Sequence, residues 1–126
     1  MDVGYLPNAF DLLNVRDLDL IAQARRHCSR LVVGVFSDDF AARQGRRPVV
    51  PLAERMALVA HVRGVDEVVV HDQERANVSV GTTVFGVIGE TDVPSRAHQH
   101  LLVPLRETTS PLLREALHAA PRERVG

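Results

Sequence analysis

Apolar positions along the chain recur in short stretches with two different periods. Val3 to Leu6 is a brief apolar opening, closed by the turn residues Pro7 and Asn8. From Asn14 onward the period becomes helical. Val15, Leu18, Ile21, Ala22 and Ala24 fall on one side and Asp17, Asp19, Gln23 and Arg26 on the other, predicting a helix to about Cys28. Leu31 to Phe36 (LVVGVF) is a continuous apolar run, as expected of a strand covered on both faces. Asp38 to Pro51 is polar and arginine-rich, ends among prolines, and reads as a mobile loop. Leu52 to Val62 returns to helical spacing through Leu52, Met56, Val59 and Ala60, with Pro51 as a first-turn residue. Val65 to Val70, Val84 to Ile88 and Leu101 to Val103 read as three further strands, and Ser110 to Ala120 as a closing helix. His71 to Thr83 has no clear period.

Strands alternating with helices imply right-handed crossovers and a parallel sheet. The expectation is therefore an α/β fold: one domain over residues 1–120, a five-stranded parallel sheet with helices on both faces, and a frayed tail over 121–126. Ligands of such sheets bind beyond the carboxyl ends of the strands, near the point where the strand order reverses. The segments that fall there are Pro7–Asp17, Ser37–Pro48, Gly89–Asp92 and Arg106–Ser110.

Composition narrows the function classes. With 126 residues, 45% of them hydrophobic, the chain can bury a core. Fifteen basic residues against sixteen acidic ones leave a formal charge of -1, which gives no overall pull toward nucleic acid or an anionic membrane. All the basic residues are arginine. Cys28 stands alone, which excludes an internal disulfide and fits a reducing cytoplasm. No basic leader and no apolar stretch of membrane-spanning length is present, so a soluble, cytoplasmic protein is expected. His98-Gln99-His100 offers at most two ligands, and a surface loop accounts for it better than a metal site. Neither a GxGxxG nor a phosphate-loop signature occurs.

The run Ala9-Phe10-Asp11-Leu12-Leu13 before the first helix, then LVVGVFSDDF, then PLAERMALVAHVRGVDEVVV, resembles cytidylyltransferases of the glycerol-3-phosphate type. The likeness is nearly gap-free from Val3 to Val70 and weaker afterwards. It implies a Rossmann-like nucleotidyltransferase fold and commonly a homodimer. It also implies a reaction in which a phosphorylated alcohol attacks the α-phosphorus of CTP and pyrophosphate leaves, usually with Mg²⁺. Positioning and charge neutralisation carry such chemistry. The family's His-x-Gly-His at the start of the first helix is here Asn14-Val15-Arg16-Asp17. Asn14 and Asp17 thus stand at the catalytic histidine positions, and Arg16 replaces a glycine that lets phosphate approach. The same residues suit helix capping, Asn14 as N-cap and Asp17 in the first turn.

The resemblance carries over further positions one at a time. Asn8 stands for a glycine beside the nucleotide, and Ala9, Phe10 and Asp11 follow it. The basic loop corresponds to Arg43-Gln44-Gly45-Arg46-Arg47, with Arg46 a candidate anion ligand. Arg55 and Arg63 match arginines of the second helix region, at a spacing that puts both near one face. The alternative for Arg55 is a structural ion pair with Glu54, Asp66 or Glu67. Asp38 also matches, although capping a turn explains it equally. Gly89 and Asp92 remain of an apolar strand ending in Gly-Asp-Asp-Trp, and the chain has no tryptophan. Arg106, Thr109 and Ser110 remain of the last signature, where Glu107 opposes an anion and Pro111 opens the helix. Three readings follow. One is a domain with lost or strongly reduced catalysis, keeping a nucleotide-binding or regulatory role and needing no cofactor. Another is an active, Mg²⁺-dependent enzyme with a site built on Arg16, Arg46 and Arg63, taking CTP or another nucleotide and a small phosphorylated acceptor. The third is a dimeric assembly module with a closed pocket.

Overall fold

The computed structural model describes residues 2–73, 82–87 and 99–105. Its elements follow in the order β1 (Val3–Asn8), α1 (Val15–Arg26), β2 (Arg30–Phe36), α2 (Asp38–Arg43), α3 (Leu52–Ala60), β3 (Glu67–His71), β4 (Thr83–Val87) and β5 (Gln99–Leu102). The five strands form one parallel sheet in the order β3-β2-β1-β4-β5. The chain therefore builds outward from β1 to β3, then crosses to the other side of β1 for β4 and β5. The order reverses between β1 and β4. Predicted Ser110–Ala120 lies outside the described residues.

β1 pairs with β2 from Val3↔Arg30 to Asn8↔Val35, but with β4 only at Gly4↔Thr83 and Tyr5↔Val84. Among the described residues no β1–β4 pair follows Tyr5↔Val84, and Pro7 falls in that stretch. That is a place where a strand tolerates a residue without an N–H, so β1 continues through Pro7 and Asn8, which the sequence marks as a turn. The reversal of strand order between β1 and β4 is where the crevice of an open α/β sheet is expected, at their carboxyl ends.

The core is built from the interior strands and the inner faces of the helices. Leu6, Leu20, Ile21, Leu31, Val33, Val35, Val59, Phe85 and Leu102 are buried together. Each such side chain contributes about 1.5–3 kcal/mol relative to exposure, which is why β1 and β2 read as unbroken apolar runs rather than alternating ones.

The expected loop over Asp38 to Pro51 contains a helix instead. Ser37 Oγ caps α2 by accepting the Phe40 N–H at 3.0 Å, and Asp38 and Asp39 occupy its first turn. Phe40 and Ala41 are buried, which supplies the apolar contact a six-residue helix needs. Its carboxyl end closes with Gly45 at φ 82°, the Gly45 N–H donating to Ala42 O and the Arg46 N–H to Ala41 O. That pair of bonds is a Schellman motif. Among the described residues no helix is long and apolar enough to cross a membrane.

Candidate functional site

The segment joining β1 to α1 lies at the carboxyl end of the central strand and is held in an unusual shape. Phe10 and Leu12 have φ of 51° and 55°, in the left-handed region that residues with bulky side chains seldom adopt. Such strain persists only where the surroundings over-determine it. Here three clamps do so. Arg55 Nη1 donates to Ala9 O at 2.8 Å, and Asn14 Nδ2 donates to Leu12 O at 2.9 Å. Between them the Asp11 carboxylate, 3% exposed, accepts the N–H groups of Val49 and Val50, both at 2.9 Å. The Asn8 side chain accepts the Ala9 N–H at 2.7 Å, so that backbone donor is engaged locally. The Phe10 ring is buried in the core.

α1 begins immediately afterwards. Asn14, with φ -147° and ψ 178°, is its N-cap, and its Oδ1 accepts the Arg16 N–H at 3.0 Å and the Asp17 N–H at 3.1 Å. A helix amino end offers such donors to phosphate. In this chain two of them are directed to a side-chain oxygen of the cap. Asp17, only 7% exposed, adds a carboxylate in the first turn, and Arg16 is half-buried. The amino end of α1 thus carries an acidic group of its own where the dipole would favour a bound anion.

Arg55 is fully buried and bonds in four directions. Its Nε donates to Val50 O at 2.8 Å, Nη1 to Ala9 O and to Phe36 O at 2.7 Å, and Nη2 to Asp38 Oδ1 at 2.6 Å. It joins the carboxyl ends of β1 and β2 to the start of α2 and the approach to α3. The ion-pair partner is Asp38, whereas Asp66 pairs with Arg25 and Glu67 with Arg30. The expected placement of Arg55 and Arg63 near one face is corrected. Arg63 is exposed in the turn after α3, before β3 begins, at the opposite end of the sheet. From Arg55 to the end of α3 at Ala60 the helix rises about 7.5 Å at 1.5 Å per residue, and the turn that holds Arg63 follows, which is why the two do not meet.

The arginine-rich turn follows α2 on the same side of the sheet as Asp11 and Asn14. Arg43, Arg46 and Arg47 are exposed there, with the Arg46 backbone fixed by the Schellman bond to Ala41. Arg43 lies over the Phe40 ring, 5.6 Å from its centroid, and donates to Asp72 O at 2.9 Å. Asn8, Ala9, Phe10, Asp11, Asn14, Arg16, Asp17, Arg46 and Arg55 are therefore gathered around the carboxyl ends of β1 and β2. Gly89, Asp92, Arg106, Thr109 and Ser110, together with Glu107, Pro111 and His98, lie outside the described residues.

Sequence reading did not find two features of this site. The first is the buried Arg55 hub, although Arg55 falls within the stripe Leu52, Met56 and Val59 that the helical period assigns to the core. The second is the Asp11 clamp, for which no sequence signal exists because its partners lie nearly forty residues on. His100 sits on β5 with its ring 4.1 Å from that of His27, centroid to centroid. Among the described residues no group of three or more His, Cys, Asp or Glu side chains could hold a metal ion. Burial pushes the Cys28 thiol up, away from thiolate character.

Comparison with known proteins agrees with this fold. The family model described as "Cytidylyltransferase-like" matches residues 5–112. The chain is 39% identical over 74 residues to the bifunctional protein HldE of Acidiphilium cryptum, covering 57% of this chain and 15% of that protein. It is 40% identical over 65 residues to the ethanolamine-phosphate cytidylyltransferase of Arabidopsis thaliana, covering 52% of this chain and again 15% of the other. The chain thus spans a small fraction of the length of these relatives. Among solved structures, the lipopolysaccharide core biosynthesis protein of Thermoplasma volcanium superposes with a TM-score of 0.71 over 86% of this chain and 99% of that one, at 15% identity. That last likeness concerns the fold.

Proposed function

Because the chain belongs to the cytidylyltransferase-like family, we propose that it is a nucleotidyltransferase-fold domain in which transfer of CMP from CTP to a small phosphorylated alcohol is lost or strongly reduced, leaving a nucleotide-binding or regulatory role. The observation that carries this reading is the amino end of α1. The Asn14 side chain accepts the Arg16 and Asp17 N–H groups, and the Asp17 carboxylate is buried beside them. Where the resemblance expects two imidazole donors, one position holds a cap and the other an anion.

The magnitudes favour loss over mere weakening. Removing one donor to the transition state costs on the order of 10²–10³ in rate. Two are absent here, and a like charge is added. What remains suited to nucleotide is the shaped β1–α1 turn and the arginine turn after α2, since guanidinium groups grip phosphate well.

Calorimetry with CTP and Mg²⁺, followed by a pyrophosphate-release assay with glycerol 3-phosphate, tests this. Binding without turnover is the expected result. Turnover would favour an arginine-based active site using Arg16 and Arg46, and absence of binding would favour a closed assembly module. The paired change Asn14→His with Asp17→His is expected to strengthen CTP binding, because it removes the carboxylate and returns two donors. Unchanged or weaker binding in a folded variant would mean that Arg16 closes the pocket.

A further inference from the structure

The chain leaving β5 is held against α1 by two side chains that have no part in the site described above. Gln23 Nε2 donates to Val103 O at 2.8 Å, and Asp19 Oδ2 accepts the Leu105 N–H at 2.9 Å. The two side chains are also joined to each other, Gln23 Nε2 donating to Asp19 Oδ2 at 3.0 Å. A polar pair four residues apart on a helix ordinarily supports its own helix and nothing more. Here each member also takes a backbone group from far along the chain, 80 residues on from Gln23 and 86 from Asp19.

Burial does not set the course of this segment. Leu102, the last residue of β5, is 1% exposed, but Val103 is 51% and Leu105 72% exposed. Pro104 between them has no N–H with which to extend strand pairing. The bonds to α1 therefore fix the backbone here, and they also give it a direction. Val103 is held at Gln23 and Leu105 at Asp19, so the segment runs back along α1 toward its amino end, by one turn or about 6 Å. Asp19 in turn lies four residues, about another 6 Å, from Val15, where α1 begins beside its Asn14 cap. Two extended residues span about 6–7 Å. The residue that follows Leu105 is Arg106, the first of the Arg106–Ser110 stretch that the family resemblance assigns to nucleotide.

We propose that Asp19 and Gln23 are positioning residues for nucleotide binding: together they direct the chain leaving β5 toward the amino end of α1, and so bring Arg106 within reach of a nucleotide's phosphates. This rests on the reading of that end of α1 as a nucleotide site. Asp19 does not act on the ligand itself. Its carboxylate repels phosphate, and its Oδ2 already serves two donors, so it acts through the backbone that it holds.

Two substitutions at Asp19 separate charge from grip. Asp19→Asn removes the charge but keeps an oxygen for the Leu105 N–H, whereas Asp19→Ala removes both, and alanine suits a helix. Amide exchange at Leu105, followed by NMR on the full chain, is expected to be about fivefold faster in Asp19→Ala than in Asp19→Asn. Calorimetry with CTP and Mg²⁺ is expected to show Asp19→Ala binding about fivefold more weakly than Asp19→Asn, the size of one hydrogen bond net of water. In an Arg106→Ala background that difference in affinity is expected to vanish, because the hold then has nothing to position. A purely structural role would leave the difference unchanged in both backgrounds. Should Asp19→Ala not fold, Gln23→Met, which keeps the side-chain length and loses the donor, takes its place with the wild type as reference. Equal exchange at Leu105 in the two Asp19 variants overturns the proposal. So does equal CTP affinity where the wild type binds CTP, or a difference that survives Arg106→Ala. If CTP does not bind the wild type, the nucleotide reading fails and the positioning role falls with it, while exchange at Leu105 still decides whether Asp19 holds the segment.

Discussion

Asn14 engages its side chain in three hydrogen bonds, accepting from Arg16 and Asp17 and donating to Leu12 O. The first two begin α1, and the third fixes the carbonyl of a residue held at positive φ. One side chain therefore supports both the helix and the strained turn before it. Asn14→Ala is expected to destabilise the fold by about 1 kcal/mol for the lost cap, with a further contribution from Leu12, measured by urea unfolding. Asn14→Asp, which keeps the acceptor and loses the donor, separates the two. If it restores full stability, the bond to Leu12 O contributes nothing. The capping role was legible in the sequence, because an N-cap is a local matter of a few neighbouring residues. The clamp on Asp11 was not, because Val49 and Val50 reach it only through the fold.

At the scale of elements, α2 shows what composition can conceal. Its start and stop signals are all present in the sequence: Ser37 as cap, two aspartates in the first turn, Gly45 as terminator. The arginines and prolines on its carboxyl side nevertheless read as loop, because helix formation there depends on burying Phe40 and Ala41, which a six-residue window cannot reveal. The terminator is directly testable. Gly45→Ala meets no steric obstacle from neighbouring atoms, since nothing lies within 4 Å of its Cβ position, and its effect therefore reports the backbone alone. A loss of about 1 kcal/mol is expected from the φ of 82°, measured by urea unfolding. Weaker CTP binding would accompany it if the turn grips phosphate. A neutral result would mean that the Schellman bonds do not determine how α2 ends.

For the whole molecule, the question is what keeps the carboxyl ends of separate strands in one arrangement when the order of the sheet reverses beside them. Among the described residues β1 pairs with β4 only as far as Tyr5, but with β2 as far as Asn8. Arg55 supplies a further tie, binding carbonyls of Ala9, Phe36 and Val50 from three different segments. The parallel sheet was readable from alternation of periods, but this tie was not, since an arginine in such a family invites a ligand-binding interpretation. The ion pair is the lesser part of it. Asp38 is 60% exposed at its side chain, so its attraction is screened by water. The carbonyls are half-buried, and each left unsatisfied away from water costs about 1–3 kcal/mol. Arg55→Met is therefore expected to cost about 3 kcal/mol or more in urea unfolding. Asp38→Ala should cost about 1 kcal/mol or less, close to Arg30→Ala at the exposed pair with Glu67. If Asp38→Ala proved as damaging as Arg55→Met, charge pairing rather than carbonyl satisfaction would be what holds the site end of the sheet together.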